Sequence, residues 1–291
     1  MRFSPKPTVE MDWKDKFLAL EEWLSGLLKE DVALAFSGGV DSALLLHLCR
    51  DAARVHGTRV HAFTVHSDMH PLADIGAARS AALEAGVEHT VLYVDELRDA
   101  GIRNNPPDRC YRCKYALFGM IKREAAQRGV STVLEGTNED DLHVFRPGLR
   151  ALEELSIVSP LARFHITKEE VRRMAAEKGI TVAHRPSSPC MATRFPYGTT
   201  LTYEMMSRVD GAESWLRSRG FTNVRVRVHG DIVRLETNPG DFGQVLQMRE
   251  EITERMKGMG FPYVTLDLEG FRSGSMDINL LKDRRTDDAH G

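Results

Sequence analysis

Cysteine is scarce in this chain: four residues in 291, two of them in Cys110-Tyr-Arg-Cys113 and the others at Cys49 and Cys190. They are too few and too unevenly placed for a secreted disulfide scaffold, so metal, redox or nucleophilic chemistry is the better use of them. Long apolar runs are also missing, with none near the roughly 20 residues of a membrane span. Met1 to Val9 has no hydrophobic signal region. The expectation is a soluble cytoplasmic protein. Neither sign of charge dominates: 39 Lys and Arg against 42 Asp and Glu give a net charge of −3. That argues against a general nucleic-acid coat and leaves room for a local basic cleft. The sequence has no internal repeat and no low-complexity tract.

What is present begins with Ser37-Gly-Gly-Val-Asp-Ser42, directly after the apolar run Val32 to Phe36. A glycine-rich turn between a buried strand and a helix beginning near Ser42 points backbone N–H groups and the positive helix end at one spot, where a phosphate can bind. A Walker loop needs four residues between its glycines and then Lys-Ser/Thr, whereas here adjacent glycines are followed by Asp41 and Ser42. The hexapeptide resembles the pyrophosphate loop of the ATP pyrophosphatases, which adenylate a substrate. That resemblance implies ATP, with Asp41 helping to hold Mg²⁺. The Ser37 and Ser42 hydroxyls and the Gly38 and Gly39 amides would grip the departing pyrophosphate. The plain alternative is a glycine turn whose Asp and Ser cap a helix.

The length suits one large or two modest domains. Trp13, Phe17, Leu20, Leu24, Leu27 and Leu28 recur at helical spacing and predict an amphipathic helix from Met11 to Leu28. Helices over Ser42 to His56, Asp74 to Ala85 and Lys114 to Arg128 alternate with strands over Val60 to Val65, Thr90 to Val94 and Ser131 to Glu135. The alternation predicts an α/β fold, a doubly wound parallel sheet with ligands at the carboxyl ends of its strands. Thr167-Lys-Glu-Glu170 is a capping box opening a helix over Lys168 to Lys178, which Gly179 ends. Pro186, Pro189, Pro196 and Gly198 make the stretch from His184 to Thr200 a structured loop or linker.

Beyond it the pattern is helix (Tyr203 to Arg219), strand (Asn223 to His229), strand (Asp231 to Thr237), helix (Phe242 to Lys257) and strand (Tyr263 to Leu268). That is a small α+β unit with a Gly230-Asp231 hairpin. The expected division is a nucleotide-binding domain over 1–195, a smaller domain for substrate and oligomerisation over 196–282, and a polar, disordered tail over 283–291.

Further chemistry is concentrated at strand ends. The second strand runs into His66-Ser67-Asp68, where the ATP pyrophosphatases hold adenine and ribose. Gly136-Thr-Asn-Glu-Asp-Asp141 follows the strand ending at Glu135, and carboxylates there suit a hard cation, with Asp140 as the candidate for Mg²⁺ or ribose. Glu139 and Asp141 read equally well as a solvated loop. None of the eleven histidines has metal-ligand spacing. Cys49 lies among Leu44, Leu45 and Leu48 and reads as a buried, inert thiol. Arg225 and Arg227 alternate with Val224, Val226 and Val228, so the guanidiniums share one strand face, with Arg234 and Glu236 on the polar side of the partner strand. An ordinary solvated face accounts best for Arg234.

Asn105-Pro-Pro-Asp-Arg-Cys110-Tyr-Arg-Cys113-Lys114, Arg185-Pro-Ser-Ser-Pro-Cys190-Met-Ala-Thr-Arg194 and the Val224 to Gly230 strand narrow the family. Together with the loop they resemble the ATP-dependent sulfur transferases of the LarE type, which make a nickel-pincer nucleotide, and the likeness runs from about Leu18 to Leu268. What the resemblance implies is adenylation of a carboxylate on a pyridinium mononucleotide, then displacement of AMP by a protein-held sulfur. Cys190 matches the sulfur-bearing cysteine, Lys114 and Arg194 are the flanking catalytic candidates, and Arg225, Arg227 and Glu236 would hold the substrate. Arg109 and Arg112 also flank the cysteines. The family likeness also suggests a homo-oligomer such as a hexamer.

Cys110 and Cys113 depart from the sacrificial pattern, in which Cys190 gives up its own sulfur and becomes dehydroalanine. Three thiolates can hold a [4Fe-4S] cluster and leave one iron free for an exchangeable sulfide, while a structural zinc would need a fourth ligand. The rival functions are a tRNA thiolase, which should carry a basic RNA-binding surface, an amidating synthetase, which gives the cysteines no task, and a non-catalytic ATP-binding module.

Overall fold

Val32 and Leu34 point to one side of the first strand and Ala33 to the other, and each side is packed under its own apolar layer. A strand buried on both faces belongs in the middle of a parallel sheet covered by helices. The structure, a computed structural model, describes residues 12–69, 72–144, 146–180, 190–272 and 274–276. Met11, the 181–189 part of the proline-rich stretch and the tail lie outside the described residues.

The first half of the chain runs α1 (Trp13–Leu27), β1 (Val32–Ala35), α2 (Val40–His56), β2 (Val60–His66), α3 (Leu72–Ala85), β3 (Glu88–Tyr93), α4 (Glu96–Asp99), α5 (Arg109–Gln127) and β4 (Val133–Leu134). It continues α6 (Glu139–Leu142), α7 (Gly148–Glu154), α8 (Pro160–Arg163) and α9 (Lys168–Glu177). A 3-10 turn (Met191–Arg194) precedes α10 (Tyr203–Ser218), β5 (Arg225–His229), β6 (Ile232–Glu236), α11 (Phe242–Gln247), α12 (Arg249–Gly258) and β7 (Tyr263–Leu266).

Two units emerge. The first comprises Met1–Ser67, Pro71–Asp95 and Cys110–Ser188; the second comprises Asp68–His70, Glu96–Arg109 and Pro189–Gly291. Cys110 and Cys113 thus belong to the first unit, Cys190 and Arg194 to the second.

The first unit carries the expected α/β sheet, in the order β3-β2-β1-β4 with every pair parallel. Leu134 also bridges Val158 in parallel sense. Residues of α1, α2, α3 and α9 bury against Val32, Leu34 and Ala62. Ile121 and Ala125 of α5, with Leu152 and Ile157, bury against Ala33, Phe63 and Val133 on the other face. Helices on both faces make the sheet doubly wound, and the strand order reverses between β1 and β4.

The second unit is a three-stranded sheet, β5-β6-β7, with β5 and β6 an antiparallel hairpin and β6 and β7 parallel. Gly230 takes φ +61° in the hairpin turn. The single helix expected over Phe242 to Lys257 is two: Met248 ends α11, its N–H bonding Gln244 at 2.9 Å, and begins α12. No proline or glycine marks that break. Helices α4, α6, α7 and α8 run four to seven residues, too short for a periodic signal.

One difference bears on chemistry. Helix α5 starts at Arg109 and not at Lys114, so Cys110-Tyr-Arg-Cys113 is the opening turn of a helix and not a loop turn. Pro106 and Pro107 fix the preceding backbone, and Arg109 N–H bonds the Pro106 carbonyl at 3.0 Å, tightening the entry. No helix of the described residues is long and apolar enough to cross a membrane.

Candidate active site

At the carboxyl end of β1 the chain turns sharply enough that Gly38 adopts φ +73°, and a Cβ there would stand 3.1 Å from the Cα of Ala78 on α3. Both the conformation and the close approach exclude a side chain. Helix α2 begins at Val40, two residues earlier than expected, with Gly39 as N-cap and no side-chain cap. Ser42 Oγ donates to the Gly39 carbonyl at 3.0 Å and lies 3.1 Å from Ser37 Oγ, which accepts from Gly39 N–H at 3.3 Å. The serines brace the loop while the first-turn amides of α2 face its mouth, where an anion is favoured. The helix-capping alternative for Asp41 and Ser42 fails on this geometry, since neither caps α2.

The loop after β4 closes on the same spot. A Cβ on Gly136 would lie 3.2 Å from Asp41 Cβ and from Ser42 N, so this glycine lets the two loops touch. Asn138 Nδ2 donates to Asp41 Oδ1 at 3.2 Å, Lys168 Nζ pairs with Asp41 Oδ2, and Lys168 N–H donates to Asp140 Oδ2 at 2.8 Å. Glu135, buried, accepts from Thr137 N (2.9 Å), Thr137 Oγ1 (2.8 Å) and Ser159 Oγ, tying the base of the loop. Replacing Gly136 with alanine must shift backbone. We expect ATP binding about tenfold weaker from this overpacking, measured by calorimetry, with the melting temperature little changed.

Glu139 and Asp141, left open on sequence, hold local structure. Asp141 completes a capping box with Asn138 and pairs with Arg146 at 2.8 Å. Glu139 accepts from His143 (2.8 Å) and His165 (3.0 Å); burial pushes its carboxyl up, and the two histidines outweigh that and hold it below its ordinary value. Lys168 was missed as a site residue. The capping box, present as expected between Thr167 and Glu170, put it at the first helical position. Its partner Asp41 lies 127 residues away, beyond any local pattern. His66, buried at the end of β2, meets Tyr93 edge-on at 5.6 Å.

The cysteines differ in setting. Cys49 is buried, and burial pushes its thiol up to about 12, as its leucine neighbours foretold. Cys110 is exposed and Cys113 half-buried, three residues apart on one face of α5. Lys114, the next residue, lies 5.8 Å over the Phe118 ring, and its stem and the Cys110 carbonyl press against Gly148, where a Cβ would meet Lys114 Cδ at 2.7 Å. Cys190 is half-buried at the head of the 3-10 turn, its carbonyl accepting from Thr193 Oγ1 at 2.9 Å. Among the described residues no three His, Cys, Asp or Glu side chains stand together as a metal-binding group.

In the second unit the hairpin register places Arg225 opposite Glu236 and Arg227 opposite Arg234, with the valines and Leu235 on the other face, as expected. That polar face is buried, however. Arg227 is 5% exposed and Glu236 0%. Arg227 donates Nε and Nη2 to Glu236 (3.1 and 2.9 Å) and Nη1 to the Thr193 carbonyl at 2.8 Å. Arg234, expected in solvent, pairs with Glu236 at 3.1 Å and Asp267 at 3.3 Å. Arg194 forms a two-pronged pair with Glu213, 2.9 Å on each arm. Arg225 differs: half-buried, its Nη1 donates to the Val224 carbonyl at 2.8 Å, and it makes no ion pair among the described residues. Burial lowers its affinity for a proton, reinforced by the charges of Arg194 and Arg227 and only partly opposed by the carboxylate of Glu213.

Glu213 supplies a pH test. Burial pushes its carboxyl up, but the hydrogen bonds and charge of Arg194 with the Val226 amide (3.0 Å) hold it below its ordinary value. A carboxylate depressed by folding stabilises above its unfolded pKa, and that contribution is lost as pH falls through the folded value. Glu213→Gln is expected to destabilise by about 3 kcal/mol near neutral pH, because Arg194 stays buried without a counter-charge. It should also shrink the acid-side fall in melting temperature.

Loops from β1 and β4 that touch where the strand order reverses, around an uncapped helix start, define a nucleotide-binding α/β protein with a pyrophosphate loop. A family model described as asparagine synthase matches residues 27–143. Over 251 residues, 86% of this chain and 90% of the relative, the chain is 38% identical to the pyridinium-3,5-bisthiocarboxylic acid mononucleotide synthase of Lactiplantibacillus plantarum. It is also 36% identical to an uncharacterized protein of Synechocystis, over 86% of this chain and 92% of the relative. An uncharacterized protein of Methanocaldococcus jannaschii is 31% identical over 83% of this chain and 91% of the relative. The chain belongs to the pyridinium-3,5-bisthiocarboxylic acid mononucleotide synthase family, the LarE-type ATP-dependent sulfur transferases, and is an enzyme.

Proposed function

We propose that this enzyme adenylates a carboxylate of pyridinium-3,5-biscarboxylic acid mononucleotide and converts it to a thiocarboxylate, a step toward a nickel-pincer nucleotide. The observation that carries the reading is the braced Ser37 to Ser42 loop closed by Gly136, in a chain related to that synthase along nearly its whole length. A substrate carboxylate oxygen attacks the α-phosphorus of ATP, the bond to the β-phosphate oxygen breaks, and pyrophosphate leaves into the first-turn amides of α2. Sulfur then attacks the acyl carbon and the bond to AMP oxygen breaks. The mixed anhydride makes AMP a good leaving group where carboxylate oxygen is a poor one.

Asp41 and Asp140 would hold Mg²⁺, with Lys168 leaving Asp41 for the phosphates. Arg225 would meet an oxyanion of the substrate, while Arg227 and Glu236 fix the wall behind it and Arg194 the turn carrying Cys190. Lys114 would orient the acyl-adenylate. The donor set fits an iron–sulfur cluster by its chemistry: two thiols on one face of α5 and a third at Cys190, none of them deeply buried. Cys110, Cys113 and Cys190 would hold [4Fe-4S], which when bound supplies a sulfide on its open iron; without it Cys190 gives its own sulfur. A homo-oligomer is the expected assembly. The test is incubation with ATP, Mg²⁺ and the biscarboxylate mononucleotide. Pyrophosphate and a product heavier by one oxygen-to-sulfur exchange support the reading, and ATP binding without pyrophosphate release refutes it.

A further inference from the structure

After β7 the chain folds back over the buried polar face. Glu269 N–H and Gly270 N–H turn onto Asp267, at 2.9 Å to its Oδ1 and 3.0 Å to its carbonyl, and Phe271 N–H then bonds the Thr237 carbonyl at 2.8 Å. Gly270, at φ +72°, is needed there, because a Cβ would stand 2.9 Å from Thr237 O. Arg272 pins the turn to Asp267 (3.4 Å) and Glu269 (2.8 Å). Ser275 Oγ donates to Glu236 at 2.6 Å, and Arg234 approaches the Met276 sulfur at 3.7 Å. This strap lays the Phe271 ring 5.1 Å from the Arg225 guanidinium.

We propose that Phe271 is a positioning residue for substrate binding: its ring holds Arg225 flat, so that the edge of the guanidinium meets an oxyanion of the ligand. Arg194 and Arg227 are tied to Glu213 and Glu236, so their orientation is fixed by carboxylates. Arg225 has no carboxylate hydrogen bond of this kind: its Nη1 bond to the Val224 carbonyl holds one nitrogen and leaves the tilt of the guanidinium plane unset. A ring against one face removes that freedom and leaves the N–H edge open, which is where carboxylate and phosphate bind. The strap thus completes a site begun by the hairpin, and Ser275 on Glu236 keeps the counter-charge of Arg227 in place. The inference rests on Arg225 as a substrate ligand.

The probe is nicotinic acid mononucleotide, a pyridinium ring that bears one carboxylate and is joined through its nitrogen to a ribose carrying one phosphate, with binding measured by calorimetry. Phe271→Ala should bind about tenfold more weakly and Phe271→Tyr within about twofold of wild type, because a tyrosine ring stacks equally well. In an Arg225→Gln background Phe271→Ala should add nothing. Nicotinamide mononucleotide separates the sources: a loss confined to the acid points to the carboxylate, and a loss with both points to phosphate. Full affinity in Phe271→Ala, or an equal loss in the Arg225→Gln background, overturns the inference alone. Unchanged affinity in Arg225→Gln by itself, or no binding to wild type, overturns the role of Arg225 as well. Failed rescue by Phe271→Tyr with a normal melting curve also counts against it.

Discussion

Asp41→Asn is expected to cut Mg²⁺-dependent pyrophosphate release by about a hundredfold or more while strengthening ATP binding measured in EDTA. The opposite signs follow from one charge. Asp41 stands in the first turn of α2, beside amides that favour a phosphate, and its carboxylate repels the triphosphate unless a cation intervenes. In the free protein Lys168 is that cation, with Asn138 on the other oxygen. Asparagine keeps the size of the side chain and removes the repulsion, so bare ATP gains. On the proposed role of Asp41 as a Mg²⁺ ligand, it also removes the contact that would hold the cation offsetting charge as the α–β phosphate bond breaks, so turnover is expected to collapse. Calorimetry with EDTA and a pyrophosphate assay at saturating Mg²⁺ read the two effects separately. Pyrophosphate release at the wild-type rate would show that Asp41 only props the loop.

The second large effect divides the reaction in two. Cys190→Ser should leave pyrophosphate release within a few-fold of wild type and abolish thiocarboxylate formation, because activation needs the first unit's loop and sulfur delivery needs a thiol. Serine is close in volume and keeps the Cys190 carbonyl that accepts from Thr193 Oγ1 in the 3-10 turn, so the fold should survive. Weighing the wild-type polypeptide before and after one turnover then sorts the sulfur source. A loss of ~34 Da, one H₂S, means the thiol was consumed; an unchanged mass means the sulfur was carried elsewhere. Thiocarboxylate from Cys190→Ser at the wild-type level would remove Cys190 from the reaction.

The loop was legible because its signal is local: apolar strand, glycine doublet, helix, all within a dozen residues. The hairpin register was legible too, since alternation fixes which side chains share a face and the Gly230 turn fixes the pairing. Burial of that face was not. Arg227 and Glu236 read as a polar surface in sequence, and what covers them arrives from Thr193 and Ser275, outside the hairpin's own pattern. Lys168 escaped for the same reason. The helical start of Cys110 to Cys113 was missed because cysteine and tyrosine carry weak helix signals and the apolar helical spacing begins only after Lys114.

Strand β1 pairs locally with β2, but its other edge waits for β4, with Ala33 meeting Val133. The segment from β1 to β3 can therefore assemble from neighbouring stretches, while the contact that seats Gly136 on Asp41 must close a loop of about a hundred residues and comes late in folding. Nucleotide affinity then reports the last docking event of the first unit. ATP, binding only the docked form, should raise the free energy of local opening of the β4 edge by the same increment as global stability, which hydrogen exchange of Val133 and Leu134 would show as slowing that grows with ATP concentration.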